Sequence, residues 1–178
     1  MAGEDRGMGG DEFAEAVAEH RLALFRTLLA VSGDRDLAED LCQDAIERAI
    51  QRRAQYRSEA PLGAWLHRIA LNRWRDHLRW RRVRRLVGVD RGAGETSGSG
   101  RDWAVGRGAV EESIDLRAAL LRIPARERAA IVLRYYHGYD YAAIGEALGV
   151  TQGSAGSILS RARRHLEVEL NGTEPAEF

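Results

Sequence analysis

The stretch "DYAAIGEALGVTQGSAGSILSRARRHL", residues 140–166, decides how this chain is read. Asp140 can cap a short helix, "YAAIGEALG", and Thr151 can cap the longer segment that follows, so two helices meet at a tight turn. That is the spacing of a helix-turn-helix, whose second helix normally lies in the DNA major groove. In the second helix Ala155, Ile158 or Leu159, Ala162, Leu166 and Leu170 form the expected buried stripe. Ser154, Ser157, Arg161 and Arg164 fall opposite it, at intervals of three, four and three. Small hydroxyls followed by arginines suit close backbone approach to a duplex, with phosphate clamps behind. Two features cut against this. Gly153 and Gly156 each cost about 1 kcal/mol relative to alanine in a helix interior, and the first two turns carry no basic residue.

Upstream, "ESIDLRAALLRI" supplies Ile114, Leu116, Leu120 and Leu121 at helical spacing. Pro124 then opens "PARERAAIVLRYYHG", which ends on Gly138. The second half is therefore a compact helical domain. Before it, residues 87–110, "VGVDRGAGETSGSGRDWAVGRGAV", are rich in glycine and serine and lack periodicity, as a flexible linker does. Trp103 is the odd residue there, either incidental or a docking anchor.

The first half carries three helical patterns. "DEFAEAVAEHRLALFRTLLAVSG" places Phe13, Val17, Leu22, Phe25, Leu28 and Leu29 on one stripe, with Gly33 as the stop. "DRDLAEDLCQDAIERAIQRR" starts on Asp34 or Asp36 and buries Leu37, Leu41, Ala45, Ile46 and Ala49. Pro61 suits the first turn of "PLGAWLHRIALNRWRDHLRWRRVRRL", which begins apolar and becomes almost wholly basic. No stretch alternates as a strand does. The expected fold is all-α: two small helical domains, residues 11–86 and 112–170, joined by the linker over 87–111, with a disordered start and a short tail.

The 27 basic residues are all arginine and balance 27 acids to zero net charge, but the charges segregate along the chain. Residues 11–57 carry ten acids and seven arginines, residues 58–110 five and eleven, and residues 111–178 ten and eight. A basic middle between acidic flanks points to one nucleic-acid surface and one surface for something else. Trp65, Asn72, Arg73, Trp74, Arg75, Trp80 and the run Arg79 to Arg85 interleave rings with guanidiniums, as single-strand binders do. Trp65 also fits a core position. Asp36, Glu39, Asp40, Asp44 and Glu47 cannot favour DNA; with Gln43 they could dock a basic helical partner or form a solvated face.

Catalysis finds little support. The five histidines have no metal-ligand spacing, no serine has nucleophile context, and Cys42 stands alone, so neither a disulfide within the chain nor a cysteine zinc site is expected. No apolar run approaches a membrane span, and the start resembles no signal peptide, so the expected location is the cytoplasm, without membrane insertion, cofactor or metal.

In this order the motifs "DRDLAEDLCQDAIERA", "LGAWLHRIALNRWRDHLRWRRVRR" and "IPARERAAIVLRYYHGYDYAAIGEALGVTQGSAGSILSRARRHL" resemble bacterial sigma factors, and the two-domain length resembles their extracytoplasmic-function group. The resemblance implies a non-catalytic subunit that binds core RNA polymerase and directs promoter recognition and melting. Asp40, Gln43, Asp44 and Glu47 would face the β′ coiled coil, and the β flap is a further implied contact on the polymerase. Ser58, Trp65, Asn72, Arg73, Arg75 and Arg79 would melt and read the −10 element, the loop Ser58 to Gly63 helping to hold a flipped base. Gln152, Ser154, Ser157, Arg161 and Arg164 would read the −35 element. Leu66 stands where primary sigma factors have a second tryptophan, which implies a stricter promoter. An anti-sigma factor is a further implied partner. Relatives commonly read "GTVKSRLHRAR" where this chain has "GSAGSILSRAR", so Gly156, Ile158 and Ser160 replace a lysine, an arginine and a histidine. The runner-up is a stand-alone helix-turn-helix regulator binding duplex DNA, against which the acidic helix argues.

Overall fold

The apolar stripes become eight α-helices among the described residues, which are 9–57, 59–86 and 110–171 of the computed structural model. They are α1 (Gly10–Glu19), α2 (Arg21–Ser32), α3 (Arg35–Gln51), α4 (Leu62–Leu86), α5 (Val110–Arg122), α6 (Ala125–Ile131), α7 (Tyr141–Leu148) and α8 (Gln152–Asn171). No strand occurs among the described residues. Ser58, Trp103 and the Ile114 side chain lie outside the described set.

Local chemistry sets the boundaries. Gly33, at φ 73, ends α2 in the left-handed region that only glycine enters without strain, and the Asp34 carboxylate accepts from Leu37 N–H to start α3. Asp140 does the same for α7 through Ala143 N–H at 2.8 Å.

Three sequence expectations change. The first stripe is two helices, parted at His20, whose backbone N–H turns back to Val17 O and whose ring Nδ1 lies 2.8 Å from Ala16 O. Leu22 is 55% exposed, because two residues from Leu24 is roughly 200° around the helix. Leu116 and Leu121 are also exposed, Ala119 and Ile123 taking the buried positions of that region. The segment after Pro124 does not stay α-helical to Gly138. Val132–Tyr136 forms a π-helical turn closed by His137 N–H on Val132 O at 3.3 Å. The extra residue in that turn leaves Tyr135 and Tyr136 outside and turns His137 inward.

Helices α1–α4 form one bundle and α5–α8 the other, and the two share a continuous apolar core. Helix α4 lies along α7, and α2 packs on α5 and α6. Arginines of the second bundle seal the seam by donating to the carbonyl end of α2. The buried Arg128 guanidinium donates to Val31 O, and also to Leu121 O at 2.9 Å and Ile123 O at 3.2 Å. Arg117 reaches Gly33 O at 3.0 Å. Cations at a helix C-terminus meet its partial negative charge. Burial lowers the Arg128 pKa to about 10, so it remains charged at neutral pH.

Candidate nucleic-acid interfaces

The helix-turn-helix is built by α7, Gly149 and α8. Gly149 takes φ 65 at the turn, and a Cβ on Gly145 would stand 2.9 Å from Val150 O, so the turn closes only over glycine. Thr151 Oγ1 accepts from Ser154 N–H at 3.2 Å and donates to the Ser154 hydroxyl at 2.9 Å, which caps α8. Ala155, Ile158, Leu159 and Ala162 are buried and Leu166 half-buried, whereas Leu170 is exposed. Gln152, Ser154, Ser157, Arg161 and Arg164 are all exposed, away from the buried stripe. The Ser157 hydroxyl donates to Gly153 O at 3.2 Å. Arg161 is not wholly unengaged: its Nε lies 3.6 Å from the carboxylate of Glu127, which also holds His165 Nδ1 at 2.6 Å. Glu127 on α6 was not foreseen, since nothing in the sequence places it beneath α8.

On α4 the apolar first half and the basic second half separate as expected, with one correction. Trp74 is buried and belongs to the core, so it offers no stacking face. Trp65 is half-buried, with Tyr56 at 5.4 Å and Phe13 at 6.2 Å between ring centroids. The Tyr56 hydroxyl donates to Ala60 O at 3.0 Å, tying the loop before α4 to the same aromatic group. Trp65 is thus partly core, and its remaining surface lines a cavity of about 860 Å³ together with Gln55, Arg57 and Arg68. The far wall is Tyr139, Asp140 and Glu146, from the other bundle. Arg68 crosses the gap to Glu146 at 2.9 Å.

Asn72 Oδ1 accepts from Arg75, a half-buried pair that fixes the amide's orientation. Burial first, then the charges of Arg126 and Arg79, lower the Arg75 pKa. Arg79 is strongly exposed, 3.6 Å from Asp76. Trp80 is exposed, and the Arg84 guanidinium lies 4.3 Å over its ring.

On α3, Asp40, Gln43 and Glu47 are exposed, and Gln43 Nε2 donates to Glu47 at 3.1 Å. Asp44 differs. Half-buried, it accepts from Arg48 at 3.2 Å and from Arg73 of α4. Burial alone would raise its pKa, but the hydrogen bonds and charges of Arg73 and Arg48 outweigh that and leave it lowered. Residues assigned to two different surfaces, Asp44 and Arg73, are therefore bonded to each other. No group of histidine, cysteine and carboxylate side chains suited to a metal occurs among the described residues, and no helix there is long and apolar enough to cross a membrane.

Comparison with known proteins agrees with this architecture. Residues 16–84 match the family description Sigma-70 region 2, and residues 113–166 match Sigma-70, region 4. The chain is 29% identical over 161 residues to the ECF RNA polymerase sigma factor SigM of Mycobacterium tuberculosis, covering 89% of this chain and 78% of that protein. It is 34% identical over 156 residues to the ECF RNA polymerase sigma factor SigE of Mycolicibacterium smegmatis, covering 85% of this chain and 59% of that one. Among solved structures, the sigma factor RpoE of Bartonella quintana, crystallised with the anti-sigma factor NepR, superposes with a TM-score of 0.75 at 27% identity, over 90% of this chain and 98% of that one. CnrH, solved with the cytosolic domain of CnrY, shares the fold, with a TM-score of 0.64 at 23% identity over 93% of this chain and 92% of that one. Both sigma-70 regions are present in order on an all-helical chain, and the chain belongs to the extracytoplasmic-function sigma factors of the sigma-70 family.

Proposed function

We propose that this sigma factor binds core RNA polymerase through the exposed face of α3, with Asp40, Gln43 and Glu47 as direct contacts. Asp44 serves partly as the anchor that couples this face to α4. The −10 element is taken by the loop over residues 57–61, including Ser58, and by Trp65, Asn72, Arg73, Arg75 and Arg79. The −35 element is read by Gln152, Ser154, Ser157, Arg161 and Arg164. The observation that carries the reading is the Asp44–Arg73 pair, which ties an acidic helix face to a basic one within one bundle. Such a bundle can seat on a basic polymerase helix while presenting its arginines to phosphates. Single-stranded bases would stack on the part of the Trp65 ring that the core leaves uncovered, once the second bundle has moved away from it. Since RpoE of Bartonella quintana is held by NepR, an anti-sigma factor is the fitting negative regulator here as well.

Run-off transcription with purified core polymerase tests this on genomic promoter fragments. The protein should yield transcripts that an Asp40→Arg/Asp44→Arg variant does not. Silence from both, together with duplex binding by the protein alone, would reject the polymerase face.

A further inference from the structure

Where the two bundles meet lies a polar cluster that neither the DNA nor the polymerase contacts use. Thr27 of α2 is fully buried, and its Oγ1 stands 2.9 Å from His67 Nε2 on α4 and 2.6 Å from His137 Nε2 of the second bundle. His67 Nδ1 lies 2.7 Å from Gly63 O and 3.1 Å from the Tyr139 hydroxyl. A carbonyl only accepts, so Nδ1 of His67 carries the ring proton and Nε2 offers a lone pair. The Thr27 hydroxyl donates to that lone pair and accepts from His137 Nε2–H. Its one proton could instead go to Ala23 O at 3.0 Å, but only the first orientation bonds both rings while both are neutral. The two rings pack 4.7 Å apart, and Tyr139 closes edge-on against His67 at 5.5 Å.

We propose that Thr27, His67 and His137 form an acid-labile latch: at neutral pH it holds the helix-turn-helix bundle over the −10 loop, and proton uptake by the two histidines releases it. The −10 assignment rests on the function proposed above; the latch itself rests on the cluster.

The closed form cannot serve a promoter. A compact chain of this length has a radius of gyration of roughly 16 Å and so spans about 40 Å. The −10 and −35 elements lie about 25 nucleotides apart, or roughly 85 Å at ~3.4 Å each. Closure also sets Asp140 and Glu146 opposite Trp65, Arg57 and Arg68, putting carboxylates where phosphates would have to come.

Acid acts on this arrangement because neither ring has a countercharge. The charged and titratable neighbours are His20 at the α1–α2 corner, Arg26 bonded to Tyr136, Arg68 paired with Glu146, Arg134 donating to Tyr139 O, and Asp140 capping α7. Among the described residues no carboxylate pairs with His67 or His137. Burial, followed by the neighbouring His137 ring, lowers the His67 pKa to about 3, and burial lowers that of His137 to about 4. His137 and Tyr139 face His67 from the second bundle, so parting the bundles returns both rings toward the ordinary value of 6.5.

The sign follows. The closed form binds neutral rings, so the latch is at full strength above pH 6.5. It weakens as pH falls below that value, until the rings protonate in place near pH 4 and 3. Each histidine shifts the closed-to-open ratio by about tenfold per pH unit in this window, so both together give roughly a hundredfold at pH 5.5.

Small-angle scattering of the full chain from pH 7.5 to 5.0, with far-UV circular dichroism alongside, tests the latch. The protein should expand below pH 6.5 with its helicity unchanged. A His67→Gln/His137→Gln variant, which cannot take up the protons, should stay compact throughout, and His137→Arg should already be expanded at pH 7.5. A constant radius down to pH 5.0, equal expansion of the glutamine variant, or a compact His137→Arg chain would each overturn the proposal. Should the glutamine variant lose helicity, the wild-type profile and His137→Arg still decide it. Run-off transcription at pH 7.5 reports separately on the polymerase and promoter reading, whatever the radius does.

Discussion

Gly156 sits on α8 with nothing within 4 Å of the place its side chain would occupy. A side chain there meets only solvent or DNA. Gly156→Lys should stiffen the helix by about 1 kcal/mol and add one phosphate contact, steepening the salt dependence of promoter binding by about one unit. Titration of promoter fragments with holoenzyme between roughly 50 and 200 mM salt measures both changes. If affinity and slope stay put, this face of α8 does not reach the backbone. The same residue-level view explains why Arg161 is a weaker candidate than Arg164: Glu127 already shares its charge, so DNA must compete with a nearly buried carboxylate. Spacing along α8 revealed the exposed set but not that competitor, which comes from a different helix.

Among the elements, the α7–α8 turn and α3 make opposite demands. Gly145 lies where a methyl group would press on Val150 O, which is backbone and cannot step aside. Gly145→Ala should therefore cost about 1–3 kcal/mol and lower the thermal midpoint followed by circular dichroism; an unchanged midpoint would mean that the turn has room to relax. On α3 the acids separate by what they hold. Asp40→Arg should abolish core binding and leave folding stability within about 0.5 kcal/mol, as an exposed substitution does. Asp44→Arg should in addition cost roughly 1–2 kcal/mol, because Arg73 and Arg48 lose their acceptor. Denaturant titration beside a core-binding assay separates the two; equal destabilisation would remove the anchor role of Asp44. Helix existence, the caps at Asp34, Asp140 and Thr151, and the acidic and basic faces were all legible, since each depends on residues within a turn or two. The break at His20, the π-helical turn and the burial of Trp74 were not. The inward turn of His137 depends on Thr27, far away in sequence, and no local pattern encodes it.

For the whole molecule, closure makes part of the binding strength conditional. If only the open form accepts polymerase, the apparent dissociation constant is the intrinsic one divided by the open fraction, so anything that loosens the seam should tighten binding. Arg117 offers a clean place to loosen it. It donates across the seam to Gly33 O, at the end of α2, and touches none of the proposed polymerase or DNA residues. Arg117→Gln should weaken closure by about 1 kcal/mol, which corresponds to roughly fivefold tighter apparent binding of core polymerase at neutral pH while the closed form still predominates. At pH 5.5, where the latch is weakened roughly a hundredfold, the same variant should differ less from the parent protein. Fluorescence titration against core polymerase at the two pH values reads both limbs. An equal gain at both would trace the effect to something other than opening, and no gain at neutral pH would mean that the closed form binds polymerase as well as the open one.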